Sequence, residues 1–118
     1  MRRMSFALTE RQLLDGSKTV TRRLGWANLK PGDRLLAVRK CQGLQRGERQ
    51  VALGEIEVLA VRQVRLSDPT YLTPADCAAE GFPELSPWEF VVMFARLNAC
   101  RTDVTVTRIE FRLVRRMA

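Results

Sequence analysis

The chain contains no histidine. Without an imidazole it builds no Ser-His-Asp triad, no Cys-His dyad and no His-containing metal site. Any catalysis therefore rests on Lys, Thr, Ser, Asp, Glu, Tyr, Arg or Cys. Cysteine is sparse: Cys41, Cys77 and Cys100 stand 36 and 23 residues apart with no CxxC pair. That removes zinc ribbons and the zinc-deaminase signature, and no metal or other cofactor is expected. Three scattered thiols read as small buried hydrophobes in a reducing, cytoplasmic setting. Neither GxGxxG nor GxxxxGKS/T occurs, so phosphate-cradling loops of those kinds are not indicated. Long apolar runs are missing too. The longest stretch without a charge is seven residues, Pro69 to Ala75, against about 20 for a membrane span. Met1-Arg2-Arg3-Met4 is basic but has no apolar segment behind it, so no signal peptide is expected.

What is present is an ordinary globular balance, 46% hydrophobic and 28% charged over 118 residues. A chain of this length buries roughly two-thirds of its unfolded surface, enough for one domain over residues 1–118 without disulfides, with a monomer the default. Charge is lopsided: 20 basic against 13 acidic residues give +7. Lysine is almost absent from that total, only Lys18, Lys30 and Lys40 against 17 arginines. Arginine presents a planar fork that pairs with phosphate and stacks on bases, so a polyanion, most often nucleic acid, is the expected partner. The plainer reading is that the charge serves solubility alone.

Three helix starts share one punctuation. Thr9-Glu10-Arg11-Gln12 reads as a capping box, Thr73-Pro74-Ala75-Asp76 as a cap with Pro at the first helical position, and Ser86-Pro87-Trp88-Glu89 as both. The third helix is predicted over Pro87 to Leu97, with Phe90, Val91, Phe94 and Leu97 on one stripe. The first stops at Gly16 and the second at Gly81. Strands are predicted at Arg34–Arg39 after the Pro31-Gly32-Asp33 turn, at Gly54–Leu66, and at Val104–Val114. Apolar parity changes in the middle one, where Val58 and Leu59 are adjacent, so a bulge or bend is expected there. In the last strand Ile109, Phe111 and Leu113 share the core face. Gln42 to Gln50 reads as a hairpin loop and Arg115-Arg116 as a basic tail. Long strands with few helices predict an α+β fold, a small, partly open mixed β-barrel with two to three short helices packed at its ends.

The most distinctive segment is Asp15-Gly16-Ser17-Lys18-Thr19-Val20-Thr21-Arg22-Arg23. With "ALTERQLLDGSKTVTRR" opening the chain, then "LKPGDRLLAVRK", "GEIEVLAVRQV", "CAAEGF" and "SPWEF" in order, the sequence resembles the ASCH family of the PUA-like superfamily from Met4 to about Leu113. The resemblance implies a β-barrel with a cleft for a nucleobase or nucleoside, and RNA binding as the general role. Some ASCH proteins are amidohydrolases that deacylate N4-acetylcytidine through a Lys, a Thr and a Glu, and ribonuclease activity has been ascribed to another. Matched onto this chain, those residues are Lys18, Thr21 and Glu80.

The chemistry is sound on its own terms. A Thr hydroxyl needs a base to become a nucleophile. With no histidine, a lysine whose pKa is lowered by burial is an available base, and a carboxylate can orient it or assist the leaving amine. Geometry is the test, because residues 18 and 21 of a regular strand face opposite sides and meet only across a bend, which Gly16 permits. The plainer alternative makes Lys18 a solvated charge after a helix C-terminus and Thr21 a strand residue. Of the adjacent Arg22 and Arg23, both candidate nucleic-acid contacts, one should point inward to the cleft and meet a phosphate or a carbonyl, and the other reads as solvated surface. Arg39-Lys40 at a strand end and Arg46 and Arg49 on the loop beyond are candidate phosphate contacts, or a solvated face. Trp26 is either a base-stacking platform or a lid on the core; Trp88, in a helix's first turn, reads as structural.

Overall fold

The computed structural model describes residues 1–40 and 44–117. In chain order the elements are β1 (Arg3–Ser5), α1 (Glu10–Asp15), β2 (Val20–Arg23), β3 (Arg34–Val38), β4 (Ala52–Arg65), α2 (Pro74–Ala79), α3 (Pro87–Asn98) and β5 (Thr105–Arg116). The strands form one mixed sheet in the order β1-β3-β4-β5-β2. β1 runs parallel to β3; the other pairings are antiparallel. Arg115 and Arg116, expected as a tail, belong to β5, where they pair with Glu55 and Gly54 of β4.

The bulge expected at Leu59 is present and organises the molecule. Val58 stands opposite Phe111 and Ala60 opposite Glu110, so Leu59 is the extra residue and points into solvent. One inserted residue reverses strand parity. Ile56 and Val58 before it therefore face the opposite side of the sheet from Val64 and Leu66 after it, although all four are even-numbered. One side buries Met4, Phe6, Leu13, Ile56, Val58, Ile109 and Phe111 under α1, with Leu113 half-buried at the edge. The other buries Val64, Leu66, Val106, Cys77, Phe90, Val91 and Phe94 under α2 and α3. Cys100 is half-buried; Cys41 and the start of the expected hairpin loop lie outside the described residues.

The helix ends follow the sequence in two cases of three. Thr73 Oγ1 accepts from the Asp76 amide at 3.1 Å. Ser86 and Glu89 complete a reciprocal capping box at 3.2 and 2.9 Å. The box expected at Thr9 does not form: Thr9 has φ −131° and ψ 29° rather than the extended cap conformation, its amide donates to the Phe6 carbonyl at 3.1 Å, and no side chain caps α1; Gln12 Nε2 donates to the Gly81 carbonyl at 3.2 Å. α3 continues to Asn98, and Leu97 leaves the buried stripe: it is 59% exposed, while Phe90, Val91 and Phe94 are buried. Trp88, too, is exposed on α3's outer side.

The barrel is an open one. β1 and β2 are the two free edges of the sheet, and no ladder joins them among the described residues. The gap is bridged by a side chain, Arg23 Nη2 donating to the Ser5 carbonyl at 2.6 Å. The sheet curls without closing, and that gap holds the cavity described next.

Candidate active site

Lys18 precedes β2, in a short segment tied down on both sides. Its amide donates to Gln12 O at 3.0 Å, and the Thr19 amide to Ala79 O at 2.8 Å. The chain turns just before, at Gly16, which caps α1 with φ +82°. Because Lys18 lies outside the strand ladder, strand alternation does not hold it and Thr21 apart. Glu80 arrives from the far end of α2. It is the C-cap residue, followed by Gly81 at φ +98°, a conformation that favours glycine. A Cβ on Gly81 would also sit 3.0 Å from Thr9 Cγ2. Thr9 and Gln12 of the first helical segment thus clasp Gly81 and register α2 against the Lys18 segment.

The Lys18 ammonium is buried, donating to the Glu80 backbone carbonyl and to Glu80 Oε1 at 3.2 Å. Burial pushes the Lys18 pKa down; the Glu80 carboxylate opposes this without cancelling it, and the Arg23 and Arg22 charges add to the fall. Arg22 Nη1 donates to Glu80 Oε2 at 3.0 Å. Its Nη2 meets Asp76 Oδ2 at 2.5 Å in an ionic contact outside hydrogen-bond geometry, and its buried Nε has no hydrogen-bond partner among the described residues. Asp76 is also held by Arg108, which reaches Glu110 at 3.0 Å. Burial alone would raise the Asp76 carboxyl, but hydrogen bonding to Arg108 and the charge of Arg22 outweigh it and hold its pKa below the ordinary value. Thr21, on the opposite face of β2, accepts from Arg23 Nε at 3.0 Å, and the Arg23 guanidinium lies over the Phe6 ring, 4.9 Å from its centre.

These side chains meet at a cavity of about 220 Å³ in the gap between the sheet edges. Lys18, Thr21, Arg22, Arg23 and Glu80 line its polar side. Phe6, Phe82, Phe90, Met93 and Phe94 make the apolar walls, and Leu8 and Leu97, both largely exposed, stand at the rim. The volume is below the roughly 300–1,000 Å³ of drug-sized pockets, a size suited to one ring. A buried hydroxyl, an amine of lowered proton affinity and a carboxylate around one small apolar space can carry out acyl transfer. No group of three or more Cys, Asp and Glu side chains able to hold a metal occurs among the described residues.

The remaining expected contacts lie elsewhere. Arg22 is the inward one of the pair but is wholly buried in ion pairs, so it does not meet a phosphate from solvent. Arg39 is tied to Glu10 through two hydrogen bonds of 2.9 Å, and Lys40 pairs with Glu48 at 3.1 Å. Arg46 and Arg49 are exposed on the β3–β4 connection. Trp26 lies outside the cavity and packs half-buried on the core, with the Arg2 guanidinium over its ring at 4.1 Å. Sequence reasoning passed over Asp76 as a site residue. The available signal was its spacing from Glu80: four residues apart, the two carboxylates share a helix face.

Two solved structures share this fold. The protein EF3133 from Enterococcus faecalis V583, of family-model DUF984, superposes with a TM-score of 0.62 at 15% identity, over 93% of this chain and 72% of its own. The ASCH domain from Lactobacillus crispatus JV V101 does so with a TM-score of 0.58 at 16% identity, over 96% and 79%. No family model and no curated protein matches the sequence. The chain has an α+β fold of the ASCH-like kind seen in these structures.

Proposed function

We propose that this protein is an amidohydrolase that removes an acyl group from the exocyclic nitrogen of a nucleobase, N4-acetylcytidine being the substrate class suggested by the ASCH-like fold. The observation that carries this reading is that a buried Lys18 with lowered proton affinity, the Thr21 hydroxyl and the Glu80 carboxylate line one cavity of base-ring size. Neutral Lys18 takes the Thr21 proton, and Oγ1 attacks the acyl carbon. The Arg23 guanidinium, already donating to that oxygen, favours its anionic form. Collapse of the tetrahedral adduct breaks the C–N bond, and the departing amine takes the proton from the Lys18 ammonium. Water, deprotonated by Lys18, then attacks the acyl-threonine; the C–Oγ1 bond breaks, Oγ1 takes its proton back from the Lys18 ammonium, and the carboxylic acid leaves. Glu80 holds the ammonium in place between transfers.

RNA binding is the second reading, favoured by the net charge of +7 and the 17 arginines. One experiment separates them: incubate N4-acetylcytidine with wild type, Thr21→Ala and Lys18→Arg, and follow acetate release. Turnover by wild type, reduced by at least about 10²-fold in both variants, supports the hydrolase. An inactive wild type that binds oligoribonucleotides with steep salt dependence would falsify it in favour of RNA binding.

A further inference from the structure

We propose that a groove at Arg62, on the helix-bearing side of the sheet, binds a phosphate group. This inference is independent of the hydrolase reading. Arg22 of β2 stands opposite Arg108 of β5, and Arg108 stands opposite Arg62 of β4. Three arginines thus lie in one cross-strand row on one face. Like charges directly opposite each other destabilise a sheet, so the row needs counter-charges. Arg22 has Asp76 and Glu80, and Arg108 has Asp76 and Glu110. Arg62 has no carboxylate partner among the described residues; its guanidinium rests on the Tyr71 ring, 5.3 Å from the centre. Stacking occupies a face of the guanidinium and leaves its in-plane N–H donors for an acceptor. Arg62, Thr70, Tyr71, Thr73 and Arg108 line a groove of about 380 Å³. One exposed guanidinium edge with hydroxyl donors around it suits the several acceptor oxygens of a phosphate. Glu110 lines the same groove, holds Arg108 and opposes an incoming anion.

The shared chemistry is a phosphate, supplied either as a free monoester-like ion or by an RNA backbone. The test titrates the 15N-labelled chain with inorganic phosphate and, separately, with an eight-nucleotide oligouridylate. Saturable shifts at Arg62, Thr70, Tyr71 and Thr73 with inorganic phosphate identify a site for free phosphate. The same shifts with the oligonucleotide alone identify a backbone site, and either result supports the proposal. Arg62→Ala should weaken binding about 10-fold or more, the size of a charge-assisted hydrogen bond. Glu110→Gln should tighten it by up to about 5-fold, the size of a surface charge interaction. Shifts that spare the groove in both titrations, or an Arg62→Ala affinity equal to wild type, overturn it.

Discussion

Lys18 shows how much a single position changes when it is buried. On a surface it would be one more cation; here it is enclosed by Glu80 and two arginines, and its proton is held less tightly than usual. The unfolded chain, with an ordinary lysine pKa near about 10.4, therefore binds more protons than the native state between Lys18's lowered pKa and that value. Stability from this residue should rise with pH across that window. Urea titrations of wild type and Lys18→Met should show the rise in the first and not the second. The proposed deacylation should follow the same group, with a rate that climbs as Lys18 loses its proton, below the ordinary lysine range. Asp76 gives a slope of the same sign, but in the acid range. Its lowered pKa contributes stability above the unfolded value of about 3.9, lost as pH falls through its folded pKa. The stability gap between wild type and Asp76→Asn should accordingly close in acid. Glu80 is the costliest of the set to remove. Glu80→Ala leaves Lys18 and Arg22 facing each other without their shared carboxylate, and should cost about 3–5 kcal/mol in denaturant unfolding.

The helices do two different jobs at their ends, and mutants separate them. α3 starts with a completed capping box, so Ser86→Ala should cost about 1 kcal/mol, read as a lower urea midpoint. Thr9 begins α1 without capping it, so Thr9→Val, which keeps the methyl against Gly81, should cost less than Ser86→Ala; an equal loss would mean Thr9 caps in solution. The α2 terminus matters through geometry. Gly81→Ala forces a side chain into a left-handed conformation and against Thr9 Cγ2, with strain of about 1–2 kcal/mol. Relief comes by moving the α2 end, which carries Glu80, so deacylation should fall in Gly81→Ala well beyond the fraction unfolded.

Across the whole molecule, β4 and β5 are the spine. They pair over most of their 14 and 12 residues, with a buried cluster on either side. Their central amides should exchange with deuterium slowest, while β1 and β2, the short free edges, exchange faster. Phe111→Ala removes a fully buried ring that touches Phe6, with centroids 5.7 Å apart, and should cost about 3–5 kcal/mol. An open sheet leaves a gap between its edges, and the candidate site occupies that gap. The described residues include no helix long and apolar enough to cross a membrane.

Local chemistry was legible in the sequence by itself. Caps at Thr73 and Ser86, stops at Gly16 and Gly81, the alternation of β5 and the bulge at Leu59 all follow from residues within a few positions of one another, and all stand in the structure. So does the ASCH-like fold, through the order of its motifs. Long-range pairing was not legible. Whether Lys18 is a surface charge or a buried amine depends on Ala79 and Gln12 holding its segment, more than 60 residues away in the first case and six in the second. Gln12 donates to the distant Gly81 carbonyl, and Arg22, on the cavity wall, is held in ion pairs with Asp76 and Glu80. Charge and hydrogen-bonding capacity are written into each residue type, but burial decides their pKa and their partners. Burial here was decided by tertiary structure: the β4 bulge turned its strand, and the sheet curled until its two edges met across Arg23.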